Sequence, residues 1–282
     1  MKKNIALIVL ATILCVGGVF YFSNQNIRSN DESSTNMVSS SGGSDEIILS
    51  PYLIDDYLED KYTSDSYEYI STAYVSGSTD SVYVGNASQT TLNTAYFNET
   101  GIQITGTCAN VAVALLINYY EDNDLLDGNT TSRSVTEWFI LTFTLAYSHG
   151  LTTLTGGTYL NEIDNIITVV LDSLVLDTDL YGDNEYANIY SKIKSNITAD
   201  EPALFHMEGH STVARGYTQY NVTVNERYWS WFQYKWREIT ITEDFLMLSE
   251  GWRSSGTSYY DVDLISDGAL NTGPDCMSEI IE

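Results

Sequence analysis

The chain has little positive charge. Its 282 residues include 12 lysines and arginines against 38 aspartates and glutamates, for a formal net charge of -26. Two of the basic residues are Lys2 and Lys3, so the body is more acidic still. Such a surface repels phosphate backbones, which argues against nucleic-acid binding and against docking on an anionic membrane through a basic patch. Calcium loops are missing as well. Asp122-Asn123-Asp124 lacks the following glycine and the distal glutamate that an EF-hand needs. Cysteine is scarce. Cys15 lies in an N-terminal apolar stretch, which leaves Cys108 and Cys276 in the body. A disulfide between those two stays open as a reading for a protein outside the cell, although Cys276 falls in a polar C-terminal tail, 271–282, expected to be loose. No internal repeat is apparent.

The N-terminus reads as a targeting element. Met1-Lys2-Lys3-Asn4 precedes an uncharged apolar run from Ile5 to Phe22, so residues 1–23 are expected to be a signal-anchor or a signal peptide. The two lysines would hold that end inside and send the rest out, to the cell surface or beyond. Residues 24–45 are rich in Ser, Asn and Gly and read as a flexible tether. Residues 46–100 bring a short helix around Tyr52–Leu58 and then Tyr-, Ser- and Thr-rich strands, as an N-terminal arm or a pro-segment.

The most informative stretch is Gly106-Thr107-Cys108-Ala109-Asn110, followed by the apolar run from Val111 to Ile117 and then Asn118-Tyr119-Tyr120. Periodicity alone leaves strand and helix open. Alanine content and length favour a helix that is apolar nearly all round, hence buried. Thr107 is the expected N-cap, which puts Cys108 in the first turn, where the helix dipole lowers a thiol pKa and favours the nucleophilic thiolate. Further helices are expected over Val135–Ser148, with His149 at the C-terminal end, over Tyr159–Leu174 capped by Thr158, and over Asn184–Ile197. Strands follow. Glu201–Glu208 and His210–Tyr217 flank Gly209, Tyr228–Trp236 alternates strongly, and Phe245–Leu248 comes after it. Helices first and antiparallel strands later is the α+β pattern.

A lone cysteine at a helix start, with a histidine far along the chain at the head of a strand, is the nucleophile–base arrangement of a cysteine hydrolase. Thr105-Gly106-Thr107-Cys108 opening the apolar helix, with Gly209-His210-Ser211-Thr212-Val213-Ala214-Arg215-Gly216-Tyr217 beyond it, resembles the papain-like cysteine peptidases. The bacterial branches around streptopain and the bacteriocin-processing peptidases are the most similar. The resemblance implies a papain-like catalytic domain over residues 101–270, with the cysteine on a helical lobe and the histidine on a sheet lobe. It implies that Cys108 attacks a carbonyl, that His210 takes and returns the proton, and that the substrate is a peptide or protein. Gln103 stands where the family has an oxyanion donor, one residue nearer the cysteine than usual. Ser249-Glu250-Gly251-Trp252 matches the family's Asn-Ser-Trp-Gly stretch, which puts Glu250 in the position that orients the histidine, where the family has asparagine. No metal or organic cofactor is implied, and any membrane contact is expected through the N-terminal segment only. His206 reads as structural. A second reading is a non-catalytic cell-surface binding or adhesion module on a degenerate scaffold of the same kind, with the Tyr- and Trp-rich strands as its recognition face.

Overall fold

A computed structural model describes residues 48–49, 53–126, 132–155, 157–174, 176, 179–207, 209–249, 251, 256–265 and 275–281. Among the described residues the fold is α+β, with six α-helices and a large antiparallel sheet. The helices are α1 (Ile54–Tyr62), α2 (Gln89–Thr100), α3 (Cys108–Asp122), α4 (Val135–Ser148), α5 (Ile163–Asp172) and α6 (Ile189–Thr198). The sheet contains β1 (Ile48–Leu49), β2 (Tyr67–Tyr74), β3 (Asp80–Ser81), β6 (Tyr181–Glu185), β7 (Ala203–Met207), β8 (His210–Ser230), β9 (Gln233–Ser249), β10 (Ser258–Asp261) and β11 (Cys276–Ile281), while β4 (Thr152–Thr153) and β5 (Gly157–Thr158) form a separate small hairpin.

The long strand β8 is the spine. One edge pairs with β9 from Val213 to Ser230. The other edge is taken in turn by β7, β3 and β2. Beyond β7 the sheet continues through β11 to β6. Helix α3 is buried from Ala109 to Glu121 except at Asn118, as its apolar run requires, and it packs on β8, β7, α4 and α5. Its C-terminal end is tied to the start of α4 through Glu121, which accepts from the Trp138 indole at 2.9 Å and from the Arg133 backbone at 2.9 Å. A capping box of Ser134 and Glu137 starts α4. A second, smaller core joins Ile54, Leu58 and Tyr62 of α1 to Val222, Val224 and Phe245 of the β8–β9 pair.

Several expectations are corrected. The C-terminal tail is not loose: Cys276–Ile281 is a strand held between β7 and β6, and Cys276 is fully buried. Both cysteines of the body are free thiols. Asn184 lies in β6 rather than in a helix, and α6 begins at Ile189. Thr158 belongs to β5, and α5 begins at Ile163 after a 3-10 turn. The expectation of a membrane-spanning anchor is not supported: among the described residues, no helix is long and apolar enough to cross a membrane. The apolar stretch Ile5–Phe22 on which it rested lies outside the described residues, as do the tether and Cys15.

Candidate functional site

Thr107 precedes α3, but its side chain does not cap the helix. Its hydroxyl donates to Asn93 Oδ1 of α2 at 2.7 Å instead. The segment before it is braced by the β4–β5 hairpin, where Thr105 N–H donates to Leu154 O at 2.9 Å. Asn110, fully buried in the first turn, donates to Thr152 Oγ1 of the same hairpin at 3.3 Å. The head of α3 is therefore pinned from α2 on one side and from β4–β5 on the other.

Cys108 is half-buried at this pinned end. Its sulfur is met by the backbone N–H of Ser211 at the start of β8, by that of Ala109 and by its own. Ser211 follows His210 directly, so the two motifs lie more than a hundred residues apart in sequence and meet at one place. The β7–β8 turn makes this possible. Met207 pairs with His210 across a two-residue connection, and Gly209 takes φ +79 there, a conformation that glycine adopts without strain. His210 is buried.

The thiol differs from the expected one in its electrostatics. Burial pushes the Cys108 pKa above its ordinary value, and the three backbone N–H groups pull it back only in part. The shift favours the thiol over a preformed thiolate, because desolvation outweighs the donors at the helix start.

The end of β9 reaches the same helix turn. Gly251 sits at φ +75, and a Cβ there would come within 3.1 Å of Val111 Cγ1, in the first turn of α3. Its carbonyl accepts from Gln89 N–H at 2.6 Å. Glu250 and Trp252, on either side of it, lie outside the described residues. Ser249 is buried, and its hydroxyl has no partner among the described residues. Gln103 is exposed, in the coil between α2 and α3. No family model, curated protein or solved structure matches the chain.

A polar chain behind the site was not found from the sequence beyond His206 itself. His206 on β7 pairs with Ser211 on one side and Cys276 on the other. Its Nε2 is 2.8 Å from Ser278 Oγ of β11, and the Ser278 hydroxyl donates to Asn184 Oδ1 of β6. Because that hydroxyl proton is committed to Asn184, His206 Nε2 carries a hydrogen and Nδ1 is an acceptor, buried and with no partner among the described residues. Burial, and next the neighbouring His210, hold the His206 pKa down to about 3. The ring is neutral, which agrees with its reading as structural.

Proposed function

We propose that the chain is a papain-like thiol hydrolase acting on peptides. Cys108 is the nucleophile and His210 the general base. Glu250 orients His210, and Gln103 supports the oxyanion together with the Cys108 backbone N–H. The observation that carries this reading is the meeting of the Cys108 sulfur with the Ser211 N–H, one residue from His210, at the head of a buried helix. A buried cysteine serving only the core would not require a histidine-bearing strand end beside it. Gly251 against Val111 brings the neighbour of Glu250 to the same helix turn. The raised thiol pKa gives His210 a defined task, since a neutral thiol must lose its proton as it attacks. The reading keeps the protein outside the cytoplasm, on the strength of Lys2, Lys3 and the apolar run behind them.

Iodoacetamide labelling with peptide mapping tests the nucleophile. Cys108 is expected to react, at a rate that climbs as pH rises past the ordinary thiol range. Cys276 is fully buried, with its pKa pushed up to about 12 by burial and then by Asp275 and Asp164, and is expected to stay unlabelled in the folded protein. Equal, slow labelling of both would sink the enzyme reading. With a fluorogenic peptide library, Cys108→Ala is expected to lower turnover by at least about 1,000-fold. Glu250→Gln should fold normally and lose less, because an amide oxygen still accepts the imidazole N–H. A Glu250→Gln variant with unchanged turnover would remove Glu250 from the mechanism and leave Cys108 and His210 in it.

A further inference from the structure

The outer end of the β8–β9 hairpin has no role in the thiol site. Past Glu226 the third strand β2 stops, and only four cross-strand pairs remain, from Arg227 with Trp236 to Ser230 with Gln233. At roughly 3.4 Å per residue this two-stranded ribbon projects about 10 Å before its turn. Its composition departs from that of the chain. Residues 227–237 include six aromatic rings and three cations, Arg227, Lys235 and Arg237, and no acidic residue, in a chain with 38 of them.

The rings are not packed away. Trp231 and Phe232 at the turn are 85% and 90% exposed, and Trp229, Tyr234 and Trp236 behind them are each at least half exposed. The two turn residues both have positive φ, +48 and +64. Asn-Gly is the usual solution for such a hairpin turn, and bulky residues are strained there. The chain thus holds its two most outlying rings at the apex in a conformation that other residues would adopt more easily. Strain of this kind, spent on exposed apolar groups, points to a function outside the fold. Behind the apex, Arg227 lies 4.1 Å from the Tyr234 ring centroid, and Arg237 pairs with Glu226 at 2.6 Å.

We infer that this hairpin end docks on the interface of a phospholipid bilayer without crossing it. Tryptophan and tyrosine rings settle at headgroup depth, and lysine and arginine reach phosphates from the same level. Along this ribbon Trp231 and Phe232 lead at the apex, the uncharged pair Ser230–Gln233 and the rings Trp229 and Tyr234 follow, and the cations Lys235, Arg227 and Arg237 come only behind them, so rings enter first and charges stay at phosphate level. The net charge of -26 does not prevent it. The ribbon is about as long as the ~8 Å screening length at physiological salt, so the acidic body stays outside most of the repulsion. The apex lies at the opposite end of β8 from His210, so docking leaves the thiol site open to substrate. This inference does not depend on the catalytic reading.

The test uses the full chain with phosphatidylcholine vesicles, with and without phosphatidylglycerol, and with bromine-labelled acyl chains as quenchers. Because residues 5–22 are themselves apolar, the readout is tryptophan emission rather than sedimentation. Three of the chain's five tryptophans lie in the ribbon, at 229, 231 and 236. Emission is expected to shift blue and to be quenched by the bromolipid. The double variant Trp231→Asn with Phe232→Gly supplies the residues the turn favours, so it should fold at least as well as the parent by thermal melting. It keeps Trp229 and Trp236 and is expected to lose the shift and about 10- to 100-fold in vesicle partitioning by the tip. Parent tip tryptophans that stay unquenched would overturn the inference. So would a blue shift that follows protein concentration without lipid and disappears in the variant, since the ribbon would then bind a second copy of the chain.

Discussion

Replacing Lys61 with methionine is expected to lower the unfolding free energy by about 3–5 kcal/mol, measured by urea denaturation at neutral pH. Lys61 Nζ lies 2.8 Å from Asp261 Oδ2 and 3.0 Å from Glu243 Oε2, and both carboxylates are almost fully buried. Asp263 adds a third, exposed partner at 3.3 Å. Burial alone would lower the lysine pKa, but the bonds to Asp261 and Glu243 more than offset it and raise the pKa above its ordinary value. Removing the ammonium leaves Asp261 with the Tyr57 hydroxyl, which donates at 2.6 Å, and the Asp263 N–H, which donates at 2.9 Å, but with no cation, and leaves Glu243 without its cation. Methionine fills the same space, so the loss is chiefly the cost of unpaired buried charge. Adding Asp261→Asn to Lys61→Met should recover part of the stability, which a cycle of single and double variants would read as coupling. A loss below 1 kcal/mol would show that water reaches the cluster. Lys61 belongs to α1, in the segment whose sequence allows either an arm or a pro-segment. Its clamp, together with β2 and β3 on the edge of β8, makes residues 54–81 part of the fold. Cleavage after residue 100 would remove all three.

What the sequence made legible were features that depend on near neighbours. The alanine-rich apolar run gave α3, and the stretch Val135–Ser148 matches α4 at both ends. Gly209 between two apolar runs marked the β7–β8 turn that carries His210. Features that depend on distant partners were hidden. β11 is six residues at the end of a polar stretch, and it is a strand because β7 and β6 lie on either side. β6, Tyr-Gly-Asp-Asn-Glu, has almost no strand propensity of its own and is held by β11. The turn of the β8–β9 hairpin was read through, inside the one strand expected over Tyr228–Trp236, because its turn residues Trp231 and Phe232 carry no turn signal. At the candidate site, the sequence singled out Cys108 at a helix start and His210 at a strand start, and both elements begin there. The sign of the thiol shift was not legible, since the dipole argument could not weigh burial against three donors. Ser278 and Asn184 gave no signal, because their link to His206 runs across three strands.

His206 sets the second large effect, an acid-dependent loss of stability that a single substitution should remove. Its pKa is held down from the ordinary 6.5 to about 3. A depressed folded-state value contributes stability that is present above the unfolded pKa and is lost as pH falls towards the folded one. The window is therefore pH 6.5 down to 3. At about 1.36 kcal/mol per unit, roughly 2.7 kcal/mol is expected to be gone at pH 4.5. The physical cause is burial of the ring, and next the neighbouring His210. A proton placed on Nδ1 meets no acceptor among the described residues, while Nε2–H is already committed to Ser278. The remainder of the chain pushes the other way, because protonating carboxylates relieves the self-repulsion of a net charge of -26. Total stability against pH therefore mixes two opposed slopes, and the informative quantity is a difference. His206→Gln keeps an amide N–H for Ser278 Oγ and cannot titrate. Urea unfolding of the parent and of this variant at pH 7 and pH 4.5 should show the parent losing about 2.7 kcal/mol more than the variant over that interval. Equal losses in both would mean that His206 ionises freely in the folded state, and the buried chain from His206 through Ser278 to Asn184 would have to admit a proton acceptor.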